Sequence, residues 1–193
     1  LSTMTLLPLA GALLIMLIGS NDEETDVRNA KRTALWTTLA TLFVSIAVLF
    51  SFDMSQKGFQ LVEEASWING FIKYRMGIDG ISLGLILLTT VLMPVCILMS
   101  WTSITTRVKD FMIAFLLLET LVIGVFCALD IVLFYLLFEG SLIPMFLIIG
   151  VWGGTRRIYA TYKFFLYTLA GSVLMLLAMI YMIADAGSAD IRV

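Results

Sequence analysis

The sequence predicts an all-α, polytopic membrane protein with about six transmembrane helices, and three observations carry that reading. Hydrophobic residues make up 61% of the 193 positions and charged residues only 13%, too few to coat a soluble globule. Mean hydropathy is +1.03. The apolar residues gather in runs near 20 residues long, the length at which a helix rising about 1.5 Å per residue crosses a hydrocarbon core about 30 Å thick. These runs are apolar on every face rather than alternating, which excludes the strands of a membrane barrel.

Six segments qualify in order: Thr3–Gly19, Ala34–Phe52, Ile78–Ser100, Phe111–Leu129, Ile131–Val151 and Thr161–Ala184. The first lacks a preceding basic region and a clear small-residue cleavage site, so a retained span is expected over a signal peptide. The chain starts at Leu1 and stops at Val193 shortly after an apolar helix, as a piece of a longer polypeptide would. The organisation expected is two N-terminal spans over residues 1–60, an outer connection over 61–77, and four further spans over 78–193. In that connection Trp67, Ile68, Phe71 and Ile72 recur at helical spacing beside Glu63, Glu64 and Lys73, so it is either a short interfacial amphipathic helix or a packed loop. Asp79, bracketed by Gly77, Gly80 and Gly84, is expected to cap the third span and let backbones approach closely.

Eight basic residues fall on one side of this topology (Arg28, Lys31, Arg32, Arg107, Lys109, Arg156, Arg157, Lys163) and four on the other (Lys57, Lys73, Arg75, Arg192). The richer side is expected to face the cytoplasm or matrix, with Trp36, Trp101 and Trp152 as anchors at that interface. Scattered basic residues and a net charge of -2 leave no face for nucleic acid. No histidine and only two cysteines, Cys96 and Cys127, both in apolar runs, argue against ligands for haem, zinc or an iron–sulfur cluster.

Two acids interrupt the fourth and fifth spans. An intramembrane ionisable residue points to function because charge in hydrocarbon is costly. Glu119 lies 11 residues before Asp130 and Glu139 lies 9 after it, depths of about 16 and 13 Å from that turn. Equal depth on adjacent antiparallel helices would let both serve one water-filled cavity as proton relays; the alternative is a neutral glutamate hydrogen-bonded between helices. Pro144 strips the carbonyl of Gly140, beside Glu139, of its helical donor. Lys163, about a turn inside the inner interface, is either a snorkelling cation or a third relay member facing the cavity of Glu139.

The stretches GIDGISLGLILLTT (77–90), LLLETLVIGVFCALDIVLFYLLFEGSLIPMFLIIGVWGG (116–154) and YKFFLYTLAGSVLMLLA (162–178) resemble the proton-translocating, antiporter-like subunits of respiratory complex I. The resemblance implies a fold of about fourteen helices containing inverted repeats, with Glu139 as the fifth-helix relay glutamate and Glu119 as the fourth-helix acid. It also implies a lysine partner on a seventh helix, beyond the six seen here. Other membrane-arm subunits, lipid, protons and water would be the partners. NADH, FMN, iron–sulfur clusters and quinone would belong to partner subunits, with no cofactor in this chain. Two rivals stand beside it: a subunit of a multi-component sodium/proton antiporter, which is similar in the same helices, and a purely structural spacer of the membrane arm whose acids are silent.

Overall fold

The computed structural model describes residues 1–18, 23–56, 58–68 and 72–192. Among the described residues six helices pack as a bundle: α1 (Ser2–Leu17), α2 (Glu23–Ser51), α3 (Gly80–Ser103), α4 (Val108–Cys127), α5 (Ile131–Trp152) and α6 (Arg157–Ala186). Helices α2 to α6 are each long and apolar enough to cross a membrane; α1, at 16 residues, is apolar but shorter. Both ends of α1 are nevertheless tied to opposite ends of the bundle. At one end the Ser2 backbone N–H donates to Glu63 at 2.9 Å, and at the other Lys109 Nζ donates to the carbonyl of Ile18 at 2.9 Å.

The outer connection is neither a short helix nor an irregular loop but an antiparallel hairpin, β1 (Gln60–Ile68) with β2 (Ile72–Ile78). Phe71 lies outside the described residues. Helical spacing of a few apolar residues loses here to cross-strand pairing, which sets Glu64 opposite Arg75 and Ser66 opposite Lys73. A two-stranded ribbon is marginal alone, and this one is anchored: Met76 and Ile78 are buried against Met4, Leu83, Ile123 and Cys127. Leu129 N–H donates to the Arg75 carbonyl at 2.9 Å, Ile131 N–H to that of Ala189 at 2.8 Å and Ile191 N–H to that of Leu129 at 3.0 Å.

This outer end is stapled by charge. Arg75, 7% exposed, sets its Nη1 2.5 Å from Asp190 and its Nε 3.0 Å from Glu64, the latter a close ion pair without a hydrogen-bonding angle. Arg192 joins Glu64 at 2.7 Å and Asp190 at 2.9 Å. Hydrogen bonding to Arg192 holds both carboxyls below their ordinary range. At the opposite end Lys109 pairs with Asp26 at 3.2 Å, Lys31 donates to the Trp101 carbonyl at 2.6 Å and Trp152 Nε1 donates to the Thr106 carbonyl at 2.8 Å. The bundle therefore sorts Arg75 and Arg192 from Lys31, Lys109, Trp101 and Trp152, as the alternating spans require.

Asp79 caps α3: Ser82 N–H donates to its carboxylate at 2.8 Å, and the Ser82 hydroxyl closes the box. A side chain at Gly77 would strike Leu129 at 2.6 Å, so a close approach is real there, whereas Gly80 and Gly84 face open space. Asp130 caps α5 by accepting from Val132 and Leu133, which makes the tight turn between α4 and α5. Helix α4 is the most buried, and α5 and α6 leave large apolar side chains such as Ile143, Leu147, Leu174 and Leu177 exposed.

Candidate functional site

Glu119 is 0% exposed. It belongs to the deepest stripe of α4, with Met112, Leu116, Ile123 and Cys127, all at 0%. That stripe packs on α1, α2 and α3: Met112 and Leu116 meet Ala12, Ala34 and Ile97, while Ile123 and Cys127 meet Met4 and Ile86. The face of α4 turned to α5 is a different one. A side chain at Gly140 would meet Leu121 at 3.4 Å, and one at Gly124 would meet Leu137 at 3.0 Å. Two residues along a helix turn about 200°, so Glu119 stands on the side of α4 opposite Leu121 and points away from α5.

Glu139 is partly buried on α5. Leu137 and Gly140 meet α4, whereas Phe146 meets Phe165 at 5.4 Å between ring centroids, and Gly150 approaches Thr161 of α6. Glu139, Phe146 and Gly150 are 7 and 11 residues apart, within about 20° of one helical face. Glu139 therefore faces α6. The antiparallel register of those contacts, Gly150 with Thr161 and Phe146 with Phe165, sets Glu139 level with Ser172, which is 3% exposed.

The two acids thus share a depth, as their spacing from Asp130 predicts, but not a cavity: they leave the α4–α5 interface in opposite directions. Both Oε1 and Oε2 of Glu119 and Oε2 of Glu139 are buried without a hydrogen-bond partner among the described residues. Such orphaned oxygens call for a proton, water or a further partner.

Lys163 lies elsewhere. It is exposed, with Nζ 5.8 Å from the Tyr159 ring centroid and 6.0 Å from that of Tyr167. A tyrosine ring on each side suits an interfacial cation, and a position two residues from Thr161, the contact to α5, places it about 200° around α6. Lys163 and Glu139 are not brought together. The hydroxyls Thr38, Thr41, Ser45 and Thr90, all buried, went unremarked in the sequence, although three of them recur at helical spacing inside one apolar run.

The helices that place these acids are also the parts matched by known families. The family described as NADH-ubiquinone oxidoreductase chain 4, amino terminus, matches residues 27–129. The chain belongs to this family. A second family, described as NADH:quinone oxidoreductase/Mrp antiporter, TM, matches residues 128–193. NADH-quinone oxidoreductase subunit M of Rhodobacter capsulatus is 54% identical over 99% of the chain and 37% of its own length. NADH-ubiquinone oxidoreductase chain 4 of Marchantia polymorpha is 44% identical over 100% of the chain and 39% of its own length. The chain therefore spans about two fifths of the length of these relatives. Among solved structures, a chain of respiratory complex I from Thermus thermophilus with bound NADH superposes with a TM-score of 0.80 at 25% identity, covering 98% of this chain and 37% of that one. A chain of the membrane-bound sulfane sulfur reductase, an archaeal respiratory membrane complex, gives 0.79 at 21% identity, over 100% and 29%, a likeness of fold.

Proposed function

We propose that this chain is the first part of a membrane-arm subunit of NADH:quinone oxidoreductase and carries part of a transmembrane proton path coupled to electron transfer from NADH to quinone. The observation that carries the reading is the pair of orphaned acids: the carboxyls of Glu139 and Glu119 lie in the interiors of two spanning helices, with buried oxygens that no protein group satisfies. An intramembrane carboxyl kept without a salt-bridge partner is expensive as mere packing and useful as a proton acceptor. Glu139 is the main relay residue and Glu119 a secondary one. Lys163 serves as an inner-interface anchor rather than as a partner of Glu139.

The redox chemistry, with NADH, FMN, iron–sulfur clusters and quinone, resides in partner subunits, and this chain conducts protons. The surroundings are other membrane-arm subunits and the lipid of a bacterial inner or mitochondrial inner membrane. The basic bias orients the start of α1 toward the periplasm or intermembrane space, and the tethering of its two ends supports α1 as a sixth span. The long identity to chain 4 proteins favours this function over a sodium/proton antiporter subunit. The spacer reading is tested by Glu139→Gln in the assembled complex, which removes the titratable proton while keeping shape and hydrogen-bonding capacity. Proton translocation and quinone-linked NADH oxidation should both fall strongly; wild-type values would leave Glu139 a packing residue.

A further inference from the structure

Two apolar clusters fill the interior formed by α1 to α4. The outer one gathers Met4, Met76, Leu83, Ile86, Ile123 and Cys127, and the inner one Ala12, Ala34, Ile97, Met112 and Leu116 among others. Between them the buried positions turn polar on three helices at once. On α2 they are Thr38, Thr41 and Ser45, on α3 Thr90 and on α4 Glu119, each 0% or 1% exposed. Glu119 is about one turn from Leu116 of the inner cluster and one turn from Ile123 of the outer, so it sits at the level of this hydroxyl layer.

The layer has an unusual balance of hydrogen-bonding groups. Thr38 donates to the Leu35 carbonyl at 3.0 Å, Thr41 to that of Thr37 at 3.0 Å, and Thr90 can donate to that of Leu87 at 3.1 Å. Ser45 and Thr90 hydroxyls meet across the helices at 2.8 Å. Hydroxyl protons spent on the backbone leave oxygen lone pairs facing inward. Pro94 lies within α3, and having no N–H it cannot satisfy the carbonyl of Thr90 four residues back. Both Glu119 oxygens lack protein partners. The layer is therefore rich in acceptors, and no lysine or arginine is among its members, so what it can take up is a donor.

We propose that Glu119, Thr38, Thr41, Ser45 and Thr90 form a second buried site that holds water and an exchangeable proton, separate from that of Glu139. Glu139 opens toward α6, and the backs of α4 and α5 stand between the two. The site rests on the proposed proton-conducting role of the subunit but needs no role for Glu139. Its ligand is water carrying a proton, because carboxyl, hydroxyl and carbonyl oxygens without a fixed cation complement O–H donors and repel anions.

Matched substitutions in the intact complex, in membrane vesicles, separate this site from packing. Thr→Val keeps the shape and removes the hydroxyl; Thr→Ser keeps the hydroxyl and removes a methyl. For Thr38, Thr41 and Thr90 together, the valine set should lower proton translocation per assembled complex about fivefold, on the scale of one lost hydrogen bond. The serine set should stay near wild type. A packing layer predicts the reverse order, and that order, or normal pumping in both sets, would overturn the site. Where the triple valine set fails to assemble, single substitutions are read against their serine partners by the same criterion. Infrared spectra provide a second readout. The carbonyl band that Glu119→Gln removes should shift within minutes in heavy water, and a band unchanged over hours would overturn the proposal. Restoration of the valine variants by sodium at fixed pH would also overturn it, assigning the layer to an alkali cation. Normal pumping in Glu139→Gln beside impaired valine variants would remove Glu139 from the path and leave this site standing.

Discussion

Glu119 and Glu139 lie at matching depths on neighbouring helices, yet they occupy different surroundings. Glu119 is sealed on the face of α4 that meets α2 and α3, among hydroxyls and between two apolar clusters. Glu139 is partly buried on the α6 side of α5, beside a helix that leaves most of its own surface uncovered. The first site is enclosed by α1 to α4; the second lies between α5 and α6, on the less covered side of the bundle. On the proposed function, the enclosed carboxyl would act with local hydroxyls and water, and the one between α5 and α6 would exchange protons on the less covered side of the bundle.

That contrast is broken or sharpened by substitution, and the largest effect is expected at the open site. Glu139→Gln should depress proton translocation and NADH oxidation together, by roughly tenfold or more, since a positioned acid–base group contributes about 10²–10⁴-fold. Glu139→Asp should keep part of both, because the acid remains one methylene short and water can bridge that gap in a polar, roomy site. Equal loss in both variants would make the side-chain length, not the proton, the deciding property.

At the closed site Glu119→Gln should lower pumping only partly, with normal assembly, since the amide still hydrogen-bonds within the hydroxyl layer. Complete loss, measured in vesicles with equal amounts of complex, would put Glu119 on the obligatory path and reverse the ranking of the two acids.

The outer staple gives a smaller effect on stability rather than turnover. Arg75→Gln removes the nearly buried partner of Asp190, which keeps its bonds to Arg192, so the cost is about 1 kcal/mol, read as a lower melting temperature of the purified complex. Asp190 titrates below its ordinary range because Arg192 hydrogen-bonds its carboxylate. Its contribution is therefore present above the ordinary Asp range and lost as the pH falls through its lowered folded value. The wild-type advantage over Arg75→Gln should persist at neutral pH and shrink only in that acid window. An advantage that vanished near neutrality would assign the staple to another group. The mildest intervention tests sidedness: a cysteine replacing Asn29 should react with an impermeant reagent only from the cytoplasmic or matrix side. Reaction from the other side would exchange the entrances of the two sites.

Much of this was readable before any coordinates. Apolar runs, caps and turn residues are local, so the six helices, the cap at Asp79, the tight turn at Asp130 and the common depth of the two acids follow from residue order and helical rise. The hairpin over 60–78 was not readable, because two strands gain their stability from pairing with each other and from Met76 and Ile78 packing on distant helices, while the local spacing of Trp67, Ile68 and Ile72 suits a helix equally well. The direction in which each acid points was not readable either. Depth depends on a rise of about 1.5 Å that every helix shares, but azimuth has meaning only relative to the neighbours. An all-round apolar helix carries no stripe to announce which side meets which partner. Only the packing of Leu121 on Gly140, of Gly150 on Thr161, and of Met112 and Leu116 with Ala34 and Ile97 turns the two acids toward different neighbours.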